Sequence, residues 1–260
     1  NEAVVSVFDS GFVLGDGVWE GIRVHHGQPA FLEAHLDRLW EGATALMINI
    51  GLTREELSAA IYETLAANDM HDGVHIRLMV SRGVKSTPYQ DPRLTIGAAT
   101  VVIIAEHKEP LPSTVTEGIT LFTTHVRRAN PDTLDPRLNA HSKLNDITAC
   151  IQAANAGADE ALMLDPDGFV ATCNSTHFFI VTRDNEVWTS DGRYCLHGIT
   201  RANVLKVCSA AGIVAREKTF SLTDVYSARE AFVTGTFAGV VPVRTIDGRT
   251  IGDGQRGPMV

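Results

Sequence analysis

Apolar and polar positions change period several times along this chain, and each change marks an element. Over 31–48 the apolar residues recur at helical spacing. Leu32, Leu36, Leu39, Ala43 and Leu46 fall on one face, which predicts an amphipathic helix. Thr53 followed by Glu56 forms a capping box that opens a second helix, running to about Ala67. Short apolar and β-branched runs predict strands over 3–8, 21–26, 74–81 and 99–105. The first two flank a glycine-punctuated turn over 10–17.

The polar stretch 107–114 carries Pro110 and Pro112 and is the best boundary, dividing the chain into lobes 1–117 and 118–260. The second lobe is predicted to open with a strand over 118–125 and an irregular stretch over 127–139. A helix over 141–156 follows, with Leu144, Ile147 and Ile151 at helical spacing. Strands over 160–164, 168–172, 176–182 and 186–188 alternate with turns at Asp165-Pro166-Asp167-Gly168 and Asp184-Asn185. A helix over 200–211, a short one capped by Ser221 and Asp224, and a strand over 230–234 complete the pattern, which has no repeats. The whole is α+β.

Composition narrows the function classes. At 44% hydrophobic and 20% charged, the 260 residues suit a folded chain with a large core. The formal charge of −9 offers no footprint for nucleic acid or an anionic membrane. The longest apolar run, 98–105, is too short to cross a bilayer. Four cysteines without C-x-x-C spacing suit reduced thiols, and cytoplasm is the expected compartment. Cys173 and His177 would make half a zinc site. No second ligand pair stands at a recognisable spacing, so no metal is expected.

Two segments suit an anion. Gly198-Ile199-Thr200 opens a predicted helix, where unpaired N–H groups and the helix dipole favour phosphate. Val233-Thr234-Gly235-Thr236 follows a strand with small and hydroxyl residues, as close backbone approach to an oxyanion needs. Each alone is an ordinary cap or turn. A third segment, His35-Leu36-Asp37-Arg38-Leu39, and a fourth, Pro136-Arg137-Leu138, stand with them in a particular order.

In that order, from about Val5 to the closing Ile251-Gly252-Asp253-Gly254, the chain resembles the class IV aminotransferases, pyridoxal phosphate enzymes of fold type IV. The resemblance implies an α+β fold type IV protein. A small N-terminal α/β lobe and a larger β-barrel-like C-terminal lobe would hold the cofactor between them. It implies a homodimer that moves an amino group between an amino acid or amine and a 2-keto acid through a lysine Schiff base. Arg38, Ile199, Thr200 and Thr236 would hold the cofactor phosphate. Arg77 and Arg82 match positions that meet substrate carboxylates in relatives, and odd separation puts them on opposite strand faces. Phe12 and Trp19 match pocket-lining positions.

Two departures bear on the chemistry. Aligned without gaps, the family's lysine position holds Asn139, and the nearest lysine is Lys143. Of the five lysines, Lys85 and Lys108 lie in loops where the family has no such role, Lys206 falls mid-helix and Lys218 sits at a charged strand end. The resemblance therefore nominates Lys143, with His141 close enough in sequence to tune or relay its proton. The family glutamate that pairs with the pyridine nitrogen is replaced by Thr172. A hydroxyl stabilises a pyridinium less than a carboxylate does. Two alternatives stay open: a lyase of the aminodeoxychorismate lyase type, and a non-catalytic relative that binds pyridoxal phosphate or another phosphate ligand.

Overall fold

Strict alternation organises the first of two units in the computed structural model, which describes residues 3–260. This unit comprises the chain up to Glu109 together with Leu138–Lys143. Its elements are α1 (Ser10–Leu14), β1 (Gly17–His25), β2 (Gln28–Pro29), α2 (Leu32–Ala45), α3 (Arg54–Ala67), β3 (Val74–Ser81) and β4 (Thr100–His107). The strands form one antiparallel sheet in the order β2-β1-β3-β4. Pairing of Val18 with Val80, Ile22 with Ile76 and Val24 with Val74 puts the even-numbered side chains on one face. There they meet Leu36, Leu39 and Ala43 of α2 and Leu57, Ile61 and Leu65 of α3. Each such side chain contributes about 1.5–3 kcal/mol by leaving water. The odd-numbered face carries Trp19, Gly21, Arg77 and Met79.

The second unit is Pro110–Arg137 with Leu144–Val260. It contains α4 (Pro112–Thr116), β5 (Ile119–Thr123), α5 (Pro131–Leu134), α6 (Leu144–Asn155), β6 (Glu160–Leu164), β7 (Val170–Cys173), β8 (His177–Val181), β9 (Val187–Thr189), α7 (Ile199–Ala210), β10 (Ala215–Glu217), α8 (Leu222–Tyr226), β11 (Glu230–Gly235), β12 (Gly239–Ile246) and β13 (Arg249–Thr250). Its sheet runs β10-β9-β8-β11-β12-β5-β6-β7, with β13 added to β12. The path folds back on itself, because β7 at its end joins β8 by a tight turn in which the Cys173 amide donates to the Thr176 carbonyl. Leu121, Leu162, Phe178, Ile180, Val233 and Val243 fill the interior, and the unit has the barrel-like character expected.

The structure departs from the sequence expectation in several places. Residues 3–8 form no strand. They lead into α1, capped by Asp9 and ended at Gly15 with φ of 67°, where the glycine turn was expected. β12 was not anticipated, because Gly239 and Pro242 interrupt its pattern. The helix expected over 141–156 starts only at Leu144, since residues 139–141 pair with β1 instead. Leu144, Ile147 and Ile151 face outward at 74%, 50% and 54% exposure, and Ala149 and Ala153 make the buried face. Within the stretch 107–114 the two units divide between Glu109 and Pro110, and Leu138–Lys143 returns to the first unit. Among the described residues no helix is long and apolar enough to cross a membrane.

Candidate functional site

Lys143 ends the segment that rejoins the first unit, and that segment is held like an added strand. The Trp19 amide donates to the Asn139 carbonyl at 2.9 Å, the His141 amide donates to Gly17 O at 2.9 Å, and Val18 bridges Ala140. Asn139 Nδ2 donates to the Trp19 carbonyl at 2.5 Å. Lys143 Nζ lies 3.3 Å from Asn139 Oδ1 and 5.4 Å from the centre of the Trp19 ring. Arg77, from β3, places its guanidinium 4.2 Å from the centre of the same ring. Lys143, Asn139, Trp19 and Arg77 thus form one group around the odd-numbered face.

Two glycines make room for this arrangement. A Cβ on Gly17 would lie 2.5 Å from His141 Cε1, and one on Gly11 would lie 2.9 Å from His141 Nδ1. His141 Nε2 donates to the Val18 carbonyl at 3.0 Å, which leaves Nδ1 as the acceptor. Burial lowers the His141 pKa, so the ring is neutral near neutral pH. His75, whose ring lies beside Gly21, is pushed down to about 4, by burial first and then by Arg77. Arg77 therefore has no second cation contributed by His75.

Arg38 sits on the opposite, core-facing side with a partner that sequence analysis missed. Glu20 is fully buried among the apolar even-numbered residues of β1. Its carboxylate accepts from Arg38 Nε at 2.8 Å, from Arg38 Nη2 at 2.7 Å and from His35 Nδ1 at 2.7 Å. Burial alone would raise the Glu20 pKa, but the hydrogen bonds from Arg38 and His35 outweigh it and hold the carboxyl below its usual range. A signal existed: Val18, Glu20, Ile22 and Val24 alternate inward, and a charge in such a row needs a buried partner. Arg82, expected near substrate, is instead occupied. It makes a two-pronged pair with Asp16 and donates to the carbonyls of Leu46 and Met47. Phe12 is 74% exposed on α1.

In the second unit, α7 begins at Gly198 with no side-chain cap, so its first N–H groups point outward as an anion site requires. The ring of His177, whose Nε2 donates to Leu196 O at 2.6 Å, lies against Gly198. A Cβ at Gly198 would stand 2.3 Å from His177 Cε1. Gly198→Ala is expected to cost about 1–3 kcal/mol, because the buried ring is tied down and cannot retreat. Thermal unfolding and titration with pyridoxal phosphate would both register the loss. Thr234 pairs directly with His177 across β11 and β8, and its buried Oγ1 has no hydrogen-bond partner. Thr236 follows in the turn between β11 and β12. An unsatisfied hydroxyl beside an uncapped helix start suits a phosphate.

Thr172 is buried on β7, and its hydroxyl donates to the Thr176 carbonyl at 2.9 Å. With its proton so placed, Oγ1 faces any further partner as a neutral acceptor. Asn174 is tied to the Ala161 backbone in both directions, so neither it nor His177 stands in for the missing carboxylate. The nearest acid on this corner, Glu160, accepts from the amide and hydroxyl of Ser175 and from the hydroxyl of Thr176, and burial raises its pKa. Cys173 is buried, which pushes its thiol pKa well up. Among the described residues no group of three metal-ligating side chains assembles around it or elsewhere.

The model of the amino-transferase class IV family matches residues 17–246. The chain belongs to that family. Branched-chain-amino-acid aminotransferase-like protein 2 of Arabidopsis thaliana is 43% identical over 257 residues, covering 99% of this chain and 46% of that protein. The chain thus spans about half the length of the first curated relatives it matches. A putative branched-chain-amino-acid aminotransferase of Methanocaldococcus jannaschii is 43% identical over 260 residues and is covered to 88%. Among solved structures, the branched-chain aminotransferase of the thermophilic archaeon Thermoproteus uzoniensis with norvaline superposes with a TM-score of 0.87. It is 32% identical, over 99% of this chain and 86% of that one. A putative 4-amino-4-deoxychorismate lyase from Legionella pneumophila shares the fold at a TM-score of 0.86 and 21% identity. The aminotransferase fold expected from sequence is therefore the fold found.

Proposed function

We propose that this family member is a pyridoxal phosphate-dependent aminotransferase that moves an amino group between an amino acid or amine and a 2-keto acid. The observation that carries the proposal is the seating of Lys143. Its amine lies against Asn139 and the Trp19 ring, at the end of a segment hydrogen-bonded onto β1. The fit at the phosphate end is supported by the uncapped start of α7 and the unsatisfied Thr234 hydroxyl. When bound, pyridoxal phosphate supplies an electrophilic aldehyde and a conjugated ring that accepts electron density from the substrate carbon.

Lys143 would hold the cofactor through its amine and carry a proton to and from the substrate carbon. Ile199, Thr200 and Thr236 would hold the phosphate, while Arg38, expected there as well, has its fork bound by Glu20 on the core-facing side of the first unit. Thr172 would accept from a protonated ring nitrogen without neutralising its charge, so proton placement there is weaker than with a carboxylate. Arg77, rather than the occupied Arg82, is the better partner for a substrate carboxylate, with Trp19 beside it. Leu144, Ile147 and Ile151 line one outward face of α6, and we assign this stripe to contact with a second copy. Analytical ultracentrifugation would test that homodimer. Four cysteines without disulfides suit a cytoplasmic protein.

Thr172 also keeps a lyase in view, since bond cleavage with less ring delocalisation suits a neutral partner. One experiment separates the readings. The protein is loaded with pyridoxal phosphate and given branched-chain and D-amino acids, with and without 2-oxoglutarate. Keto acid formed beyond one equivalent per bound cofactor only when an acceptor is present supports transamination. Given 4-amino-4-deoxychorismate instead, pyruvate released over many turnovers without an acceptor supports the lyase, and tight cofactor binding without turnover supports the non-catalytic reading.

A further inference from the structure

The gap-free alignment places Asn139 where relatives carry their lysine, and the structure gives that residue a defined task. We propose that Asn139 is a positioning residue for Lys143: its side-chain amide sets the direction of the relocated amine. The inference rests on the assignment of Lys143 as the residue that captures the cofactor.

Asn139 is only 5% exposed, and its amide has one orientation available. The group facing the Trp19 carbonyl at 2.5 Å must be the donor, Nδ2. Oδ1 is thereby turned to the other side, where Lys143 Nζ stands 3.3 Å away. The backbone on both sides is fixed by the Trp19–Asn139 and His141–Gly17 hydrogen bonds, so the amide cannot drift with its acceptor. Trp19 therefore meets Lys143 twice, through its ring and through the amide that its own carbonyl orients.

The chemical reason for an amide is specific. In condensation of a primary amine with an aldehyde the nitrogen lone pair forms the new bond to carbon, and both N–H hydrogens leave with the aldehyde oxygen as water, so the amine must be neutral and correctly turned. An amide oxygen accepts one N–H and leaves the lone pair on another side. A carboxylate at the same place would pair with the ammonium and hold it protonated. The charged groups near Lys143 come from several elements, and Asp9 and Asp16, ahead of β1, act on the neighbouring His141 ring. Arg77 comes from β3 across the Trp19 ring, and His141, on the same segment, is kept neutral by burial.

The test follows covalent capture of pyridoxal phosphate as a function of pH in wild type, Asn139→Ala and Asn139→Asp. Visible absorption gives the rate, borohydride reduction with peptide mapping gives the attachment site, and thermal unfolding reports the fold of each variant. Asn139→Ala is expected to slow capture about tenfold, by losing one oriented hydrogen bond. Asn139→Asp is expected to move the midpoint of the capture profile to higher pH by about 1 unit or more. In the wild-type protein, the nitrogen-15 shift of the Asn139 side-chain amide should titrate with the capture midpoint. The His141 ring, whose pKa burial lowers, is followed separately by its own ring-nitrogen shifts.

Folded variants with the wild-type rate and midpoint, capture still mapping to Lys143, would overturn the positioning role and leave the Lys143 assignment standing. Absence of any reducible adduct on Lys143 in wild type would remove the assignment itself. Should neither variant fold, a flat titration of the wild-type Asn139 amide would overturn the proposal.

Discussion

Lys143→Ala leaves a protein that still folds but no longer fixes pyridoxal phosphate to its chain under borohydride. This is the largest expected effect on activity. The side chain is half-buried and its nitrogen bonds Asn139 Oδ1, so truncation removes a reactive group without opening the core. Loss of the proton carrier alone should slow turnover by about 10²–10⁴-fold. Cofactor should still bind, because the uncapped start of α7 and Thr236 are untouched. Fluorescence titration would then show retained binding, while mass spectrometry of the reduced protein shows no pyridoxyl-peptide. A reducible adduct in the variant would mean that another lysine carries the chemistry, and Lys85, fully buried with Nζ donating to Asp91 O, would be the first to map.

Glu20→Gln is expected to be the most damaging single change to stability. The variant keeps the shape of the side chain and removes its charge. Arg38 and His35 are then left in a closed environment with a neutral partner where a carboxylate accepted three hydrogen bonds. Breaking one side of a buried pair costs about 3–5 kcal/mol, which for a chain of this size lowers the unfolding midpoint by roughly 10 °C. Acid dependence gives an independent signature. The folded Glu20 pKa lies below the unfolded one, so its contribution is complete above the unfolded carboxyl value of ~4.3. It is lost as pH falls through the folded value. In Glu20→Gln that part of the acid unfolding profile should be missing. An unchanged acid profile would show that the pair is replaceable.

What the sequence disclosed and what it hid follow from the range of the interactions. β3 was foreseen to the residue because alternation over 74–81 is strict and local, and Thr53 and Glu56 cap α3 by contacts three residues apart. The start of α7 was visible for the same reason. The pairing of Asn139 and His141 with β1 was not, because it joins residues about 120 positions apart and leaves no periodic trace. It shortened the expected helix and placed Lys143 in the first unit. α6 misled in another way. Its large apolar residues have helical spacing, yet its buried face is alanine, and spacing alone does not tell a core from an outward stripe. For Arg82 the strand parity argument separated it from Arg77, but only the fold showed Asp16 waiting for it.

The return of Leu138–Lys143 to the first unit also dictates an order of events during synthesis. By the time Glu109 emerges from the ribosome, every helix and sheet strand of that unit has been made, but Trp19 still lacks its partner. The 17–19 stretch must wait for about thirty more residues, most of which belong to the other core. Late closure of so distant a pair is slow by its loop length. A fragment ending at 109 should therefore fold its sheet loosely and expose the end of β1. The lysine that completes the first unit would also be among the last parts of it to find its place.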